Sequence, residues 1–271
     1  MGLPMEPSDA AAEAEHSESD CLRALAMVNY GHFTTMRVEG LRVRGLSLHL
    51  ERLRRDCRTV FGADLEAEQV RAHLRKALAD APDPVTARVT VCDPGLGLER
   101  PGAAARPRLL VTTRAAGLAP LPPLRVRTAP HRREVPAVKH TGLFGALHQR
   151  GLAQRDGFND VLFTQGPPDR PVVAEGPTWN VGFFGGGSLV WPAADVLPGV
   201  TTALLAEHHS GAQRTEELGV EQLSGMEAAF ATNAGFGIRP IASVDGIEFD
   251  VEHPALRELR SAYESVRLEE I

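Results

Sequence analysis

Lysine is almost missing from this chain. Of 271 residues 29 are basic, yet only Lys76 and Lys139 are lysines and the other 27 are arginines. A protein that draws its positive charge from arginine does not need lysine for solubility, so each lysine asks for a separate reason. Lys76 lies in the charged run Gln69-Val-Arg-Ala-His-Leu-Arg-Lys-Ala-Leu78 and reads as part of a solvated helix face. Lys139 sits in the low-charge stretch Val135-Pro-Ala-Val-Lys-His-Thr-Gly-Leu-Phe144. Amine chemistry is open to lysine and closed to arginine, because a buried ammonium sheds its proton readily and the neutral amine can form a Schiff base.

Other shortages exclude whole classes. Cys21, Cys57 and Cys92 are an odd number at wide spacing with no C-x-x-C. That argues against a disulfide framework or a zinc site, and no metal is expected; the thiols read as small buried apolar groups. No stretch approaches the roughly eighteen apolar residues of a membrane span. Net charge is −6 and no run of five or six like charges occurs, so neither nucleic acid nor an acidic membrane surface is an expected partner. Met1 to Asp20 is rich in Ala, Glu, Ser and Pro without a basic start or an apolar centre, and reads as a loose tail, not a secretory signal. The expected compartment is the cytoplasm.

What is present is a globular composition, 43% hydrophobic and 24% charged, which supports one large or two ordinary domains. Phe33-Thr-Thr-Met-Arg-Val38, a turn at Glu39-Gly40 and Leu41 to Gly45 read as a hairpin. Leu50, Leu53, Cys57, Val60 and Phe61 fall at helical spacing up to Gly62, and Val70, Leu74, Ala77 and Leu78 mark a second helix. Strands are expected at Val85 to Val91 and Arg108 to Thr113, so residues 21–114 form a small α+β domain. The Pro-rich stretch 115–123 cannot sustain helix or central strand and is the expected linker. Residues 124–271 then read as a larger mixed domain. Its expected strands lie near 124–128, 161–164, 171–174, 181–184, 188–191, 229–232 and 238–244, with helices at 142–155, 201–210 and from Pro254 onward.

Three fragments beyond Lys139 carry chemistry. In Val172-Val-Ala-Glu-Gly-Pro-Thr-Trp-Asn180 a carboxylate, Glu175, ends an apolar strand at a Gly-Pro turn. In Leu197-Pro-Gly-Val-Thr-Thr-Ala-Leu-Leu205 a bend opens a helix with Thr201 and Thr202 in its first turn, an arrangement suited to a phosphate. His49-Leu-Glu-Arg-Leu53 offers a guanidinium, Arg52, to the same anion. An amine, a carboxylate and a phosphate cradle are what pyridoxal 5'-phosphate requires: a partner for its aldehyde, a counter-charge for its pyridine nitrogen and an anchor for its phosphate.

The order and spacing of these fragments resemble the class IV aminotransferase family. These are the fold type IV pyridoxal phosphate enzymes, which include branched-chain and D-amino acid aminotransferases and aminodeoxychorismate lyase. The resemblance runs from Asn29 to Gly246. It implies a two-domain α+β fold whose larger domain carries pseudo-barrel sheets, and it implies a homodimer. Residue by residue, it implies Lys139 as the Schiff-base lysine, Arg52, Gly199, Val200 and Thr201 at the phosphate, Glu175 with Asn180 at the ring, and Asn233 and Ala234 near the cofactor. The substrate pocket would take Phe33, Thr35 and Trp179, the last narrowing it.

Two departures stand out. The lead-in before the hairpin is replaced by Ala26-Met-Val-Asn-Tyr-Gly31, and the strand-end Arg that takes the substrate carboxylate in D-amino acid aminotransferase is replaced by Cys92-Asp-Pro-Gly95. That task passes to Arg37, Arg88 or Arg239. The implied activity is amino-group transfer between a small amino substrate and a 2-oxo acid. The alternative is the lyase forming 4-aminobenzoate and pyruvate, suggested by Phe33-Thr-Thr, Lys139-His140 and Thr232-Asn-Ala234. A third possibility, from the missing lead-in, is ligand binding without turnover.

Overall fold

The structure is a computed structural model that describes residues 18–117 and 120–271. Two sheets organise it, and helices cover one face of the first. That sheet has the strand order β14-β2-β1-β3-β4. Its strands are β1 (Gly31–Glu39), β2 (Arg42–Arg44), β3 (Val85–Cys92), β4 (Arg108–Ala115) and the last strand of the chain, β14 (Leu268–Glu270). All its pairings are antiparallel. Alternation along the strands sorts their faces. Met36, Val38, Val85, Ala87, Val89, Val91 and Leu109 turn to one side and bury there against helices α2 (Leu46–Phe61) and α3 (Ala67–Leu78). Leu46, Leu53 and Leu74, all at 0% exposure, each contribute about 1.5–3 kcal/mol to that core.

The second sheet follows the order β10-β9-β8-β11-β12-β5-β6-β7 and curls into a half-barrel. In chain order its members are β5 (Leu124–Pro130), β6 (Asp160–Gln165), β7 (Val172–Val173), β8 (Asn180–Gly185), β9 (Ser188–Pro192), β10 (Gln213–Glu216), β11 (Ala228–Asn233) and β12 (Gly237–Val244). A short β13 (Ile247–Glu248) pairs with β12. Strands β5 and β6 are parallel, so the chain must cross over between them. It does so through the loop 131–143 and helix α4 (Phe144–Arg155). Lys139 rides on that crossover. Helix α5 (Val200–His208) and helix α6 (Pro254–Ser265) complete the fold. The mixed α+β class expected from the pattern is the class observed.

Several expectations are corrected. Of the tail expected over 1–20, residues 1–17 lie outside the described residues and 18–20 already belong to a helix, α1, described over 18–27. The linker expected over 115–123 includes 118 and 119, also outside the described residues; 116–117 and 120–123 carry no regular structure. The turn expected at Asp245-Gly246 for the last strand pair, 229–232 and 238–244, instead leads β12 into β13, while β11 and β12 join through 234–236. Most consequentially, Cys21 and Cys92 are not isolated thiols but a disulfide, at a sequence separation of 71. Helix α1 returns to the end of β3, where Leu25, Leu110 and the two cysteines pack together; wide spacing hid a close contact. Cys57 stays free and buried. Among the described residues no helix is long and apolar enough to cross a membrane.

Candidate active site

Lys139 is held by its backbone at the seam between the two sheets. The upper edge of β1 is free of β2, which pairs only with Val38 and Glu39, and the crossover loop takes that edge. Phe33 N–H donates to Lys139 O at 2.8 Å, Thr141 N–H donates to Gly31 O at 2.9 Å, and His32 and His140 form an antiparallel bridge. From the helix side, Lys139 N–H donates to Asp56 Oδ2 at 3.0 Å. Asp56 is wholly buried and paired with Arg55, which donates at 2.8 Å to Asp56 and at 2.7 Å to Ala137 O. The Arg55–Asp56 pair therefore fastens the loop to α2 at two points. Asp56→Ala should lower the unfolding free energy by about 2 kcal/mol, because one buried N–H and one guanidinium lose their acceptor. Urea unfolding measures this.

The amine itself stands over the Phe33 ring, with Nζ 4.9 Å from the centroid. Burial pushes its pKa down to about 7, helped by the guanidiniums of Arg52, Arg133 and Arg88 and opposed by Glu175. Desolvation disfavours the ammonium and three cations repel it, so a neutral nucleophile is available near pH 7.

On the helix side of β1 a polar cluster sits below the lysine. Arg52 donates to Thr34 Oγ1 at 2.5 Å, and Thr34 Oγ1 lies 2.7 Å from His49 Nδ1. All three are buried. Burial first, then Arg52 and Lys139, hold His49 well below its ordinary pKa, so it is neutral; with Nδ1 accepting from Thr34, its proton is on Nε2. Burial brings Arg52 down to about 10, which leaves it charged at neutral pH. Arg52 Nε and His49 Nε2 are buried without a partner, and on α5 Thr201 Oγ1 is buried beside the Tyr263 hydroxyl. Buried polar atoms are normally paired, so Arg52 Nε and His49 Nε2 suit an added acceptor.

Helix α5 adds free backbone N–H groups at Val200, Thr201 and Thr202, since a first turn has no intrahelical acceptors. Its start is pinned next to α2. Gly45, just before α2, has φ +68°, and a Cβ there would lie 2.9 Å from Leu204 and 3.1 Å from Val200, so only glycine allows this approach.

Glu175 follows β7, with its backbone tied to Phe163. Its carboxylate accepts from Arg133 Nε at 3.1 Å, Leu197 N–H at 3.3 Å and Asn180 Nδ2 at 3.4 Å. Burial raises its pKa and Arg133 opposes the rise. Asn180 also donates to Leu197 O at 2.9 Å, tying the Glu175 turn to the Pro198-Gly199 bend. A side chain at Gly199 would run into Asn180 and Thr202.

The remaining expected residues divide. Phe33 lies directly under Lys139, and Arg88 stacks on the same ring at 3.6 Å. Thr35 shares that face of β1, while Thr34 turns to Arg52. Arg37 is occupied by Glu39 at 2.6 Å and Gly117 O at 2.9 Å, and Arg239 by Pro122 O at 2.7 Å. Of the three arginines considered for the carboxylate, only Arg88 joins the lysine. Trp179 packs in the core of the large sheet, against Gly176, with its indole N–H on Asp160 at 2.9 Å. Asn233 holds the 233–236 turn, accepting from Gly235 and Phe236 and donating to Thr178 O, with Ala234 inside that turn.

Arg133 and Asp56 were missed by sequence reading. Asp56 had a signal, an acid four residues after Arg52 on the apolar stripe of α2; Arg133 had only its place six residues before Lys139.

Comparison with solved structures returns the same architecture. A candidate 4-amino-4-deoxychorismate lyase from Legionella pneumophila subsp. pneumophila str. Philadelphia 1 is 22% identical, with TM-score 0.78 over 90% of this chain and 94% of that one. Branched-chain amino acid aminotransferase from Escherichia coli is 18% identical, with TM-score 0.79 over 91% of each chain. The T.th. branched-chain amino acid aminotransferase, solved with pyridoxamine 5'-phosphate, is 15% identical, with TM-score 0.78 over 89% of this chain and 86% of that one. No curated protein matches the chain. At these identities the likeness speaks for the fold. The family model for amino-transferase class IV, however, matches residues 31–244, which include every strand but β13 and β14 and every residue of the cluster around Lys139, and the chain therefore belongs to the class IV aminotransferase family.

Proposed function

We propose that this protein is a pyridoxal 5'-phosphate-dependent aminotransferase acting on a small amino acid or related amine and a 2-oxo acid. The observation that carries the reading is the neutral-prone Lys139 amine set among Arg52, Arg133, Arg88 and Glu175. The residues fit the cofactor. Arg52 Nε and His49 Nε2, buried and unpartnered, together with Thr201 and the first N–H groups of α5, suit its phosphate. Glu175 suits the pyridine nitrogen; burial raises its pKa and Arg133 opposes that rise.

When bound, pyridoxal phosphate supplies an aldehyde that condenses with amines and a ring that draws electrons from the carbon bearing nitrogen. Lys139 presents its neutral amine to that aldehyde. With substrate in place, the Lys139 amine would serve as general base, taking the proton from the substrate α-carbon and later returning one. Arg88, beside Phe33, orients the substrate through its carboxylate, and Asn180 keeps Glu175 and the phosphate helix in register. The family reading also implies a homodimer, which sedimentation equilibrium checks.

The test begins with borohydride reduction of the protein in pyridoxal phosphate, followed by peptide mass mapping. The cofactor mass on the Lys139 peptide is expected; its appearance only on Lys76, or on neither, removes the proposal. Amino donors are then added singly, without an acceptor. Conversion of the cofactor to its pyridoxamine form supports transamination. Pyruvate released from aminodeoxychorismate alone assigns the lyase instead, and a loaded protein inert to every amine assigns a binding role.

A further inference from the structure

Two helices supply the groups suited to a phosphate, Arg52 and His49 on α2 and Thr201 with the free N–H groups on α5, and a third helix meets them at the same seam. Tyr263, on α6, packs in one apolar cluster with Val200 and Leu204 of α5, Leu48 of α2 and Val266. Its ring is fixed on two further sides. The Arg44 guanidinium lies over it, 5.3 Å from the centroid, and Arg44 in turn donates to Glu264 O at 3.3 Å. Gly237, with φ +72°, stands so close that a Cβ there would lie 3.0 Å from Tyr263 Cε1.

A ring held on three sides fixes where its hydroxyl goes, and beside that hydroxyl is Thr201. Thr201 is 2% exposed, and its Oγ1 makes no bond back to its own helix. Burial raises the pKa of the phenol, so Tyr263 keeps its proton near neutrality and can donate it. A threonine hydroxyl is donor and acceptor at once, and its proton turns freely until a neighbour fixes it. With Tyr263 donating into Oγ1, the Thr201 proton is left for an anion at the start of α5. Tyr263 also lies beyond residues 31–244, the stretch that the family model matches.

We propose that Tyr263 is a positioning residue of the phosphate cradle: its hydroxyl donates to Thr201 Oγ1 and so aims the Thr201 proton at the bound phosphate. Helix α6 thereby sets affinity for the cofactor without touching it. The effect is confined to the phosphate. Pyridoxal, which has the same aldehyde and ring nitrogen but no phosphate, does not use it, and removing the Thr201 hydroxyl abolishes it. The proposal rests on the functional reading above, in which the cradle takes the phosphate of pyridoxal 5'-phosphate.

Tyr263→Phe keeps the ring and removes the hydroxyl, and an unchanged thermal transition confirms the fold. Borohydride labelling of Lys139 is followed against the concentration of pyridoxal phosphate and, separately, of pyridoxal. In Tyr263→Phe the half-labelling concentration of pyridoxal phosphate should rise about fivefold, while that of pyridoxal stays where it is. A tyrosine that only supports packing would shift both. Thr201→Val is the second arm: it should weaken pyridoxal phosphate by itself, and Tyr263→Phe added to it should cost nothing more. An unmoved pyridoxal phosphate midpoint, an equal shift for pyridoxal, or a full Tyr263→Phe effect in the Thr201→Val background overturns the proposal. Calorimetric titration with inorganic phosphate separates it from the cofactor reading. No Lys139 label from either aldehyde, with phosphate binding that still falls about fivefold in Tyr263→Phe, discards the cofactor and keeps the positioning role. A Lys139 label indifferent to Tyr263 does the reverse, and a protein that neither takes the label nor binds phosphate loses both.

Discussion

Lys139→Ala should yield a folded protein from which borohydride recovers no cofactor-labelled peptide, with turnover reduced by at least about three orders of magnitude. Both effects follow from one atom, because in the proposed reaction the same amine attaches the cofactor and moves the α-proton. The scaffold survives because the bonds that hold residue 139, to Asp56 and Phe33, come from its backbone. Stability carries a second signature. Folding lowers the Lys139 pKa from 10.5 to about 7. Between those values the unfolded chain holds a proton that the folded chain has released, so stability rises with pH across the window. The native protein should therefore gain stability relative to Lys139→Ala as pH climbs from about 7 to 10.5, read by urea unfolding at a series of pH values. A parallel pH dependence in the two proteins would mean that the amine is not desolvated.

Glu175→Gln should leave the Lys139 label in place and lower turnover by about 100-fold. Glutamine keeps the volume and can still accept from Leu197 N–H, so the turn at 175–180 persists. What goes is the negative charge. Arg133, with 9% of its side chain exposed, is left without its counter-charge, and in the proposed reaction the ring nitrogen loses the group that keeps it protonated. The lysine responds as well. Glu175 is the one neighbour that raises the Lys139 pKa, so its neutralisation must push that pKa below about 7. The pH at which labelling is half-maximal should move to lower values in the variant. Full turnover with an unmoved midpoint would remove Glu175 from the reacting centre.

Much of this was legible from local pattern. The helical spacing of Leu50, Leu53 and Cys57 and the alternation of Val85 to Val91 are written in neighbouring residues, and both elements formed. The scarcity of lysine singled out position 139 without any structure. The misses share a physical cause: each depends on a pairing between segments far apart in sequence. Helix α1 meets the end of β3, so Cys21 finds Cys92; β14 returns to the edge of β2, pairing Glu269 with Val43. Thr34 and Thr35 could be told apart only once it was known which face α2 covers.

The anchoring of residue 139 has a consequence for biogenesis. Its grip comes from β1 and α2, which leave the ribosome first, whereas Glu175 and the α5 cradle are made later. A half-synthesised chain already holds the lysine with the Arg52, Arg88 and Arg133 cations that lower its pKa, but lacks the Glu175 carboxylate that opposes them. The late parts of the chain thus complete the site around an amine that the early parts have placed, bringing the counter-charge of Glu175 and the helix start of α5.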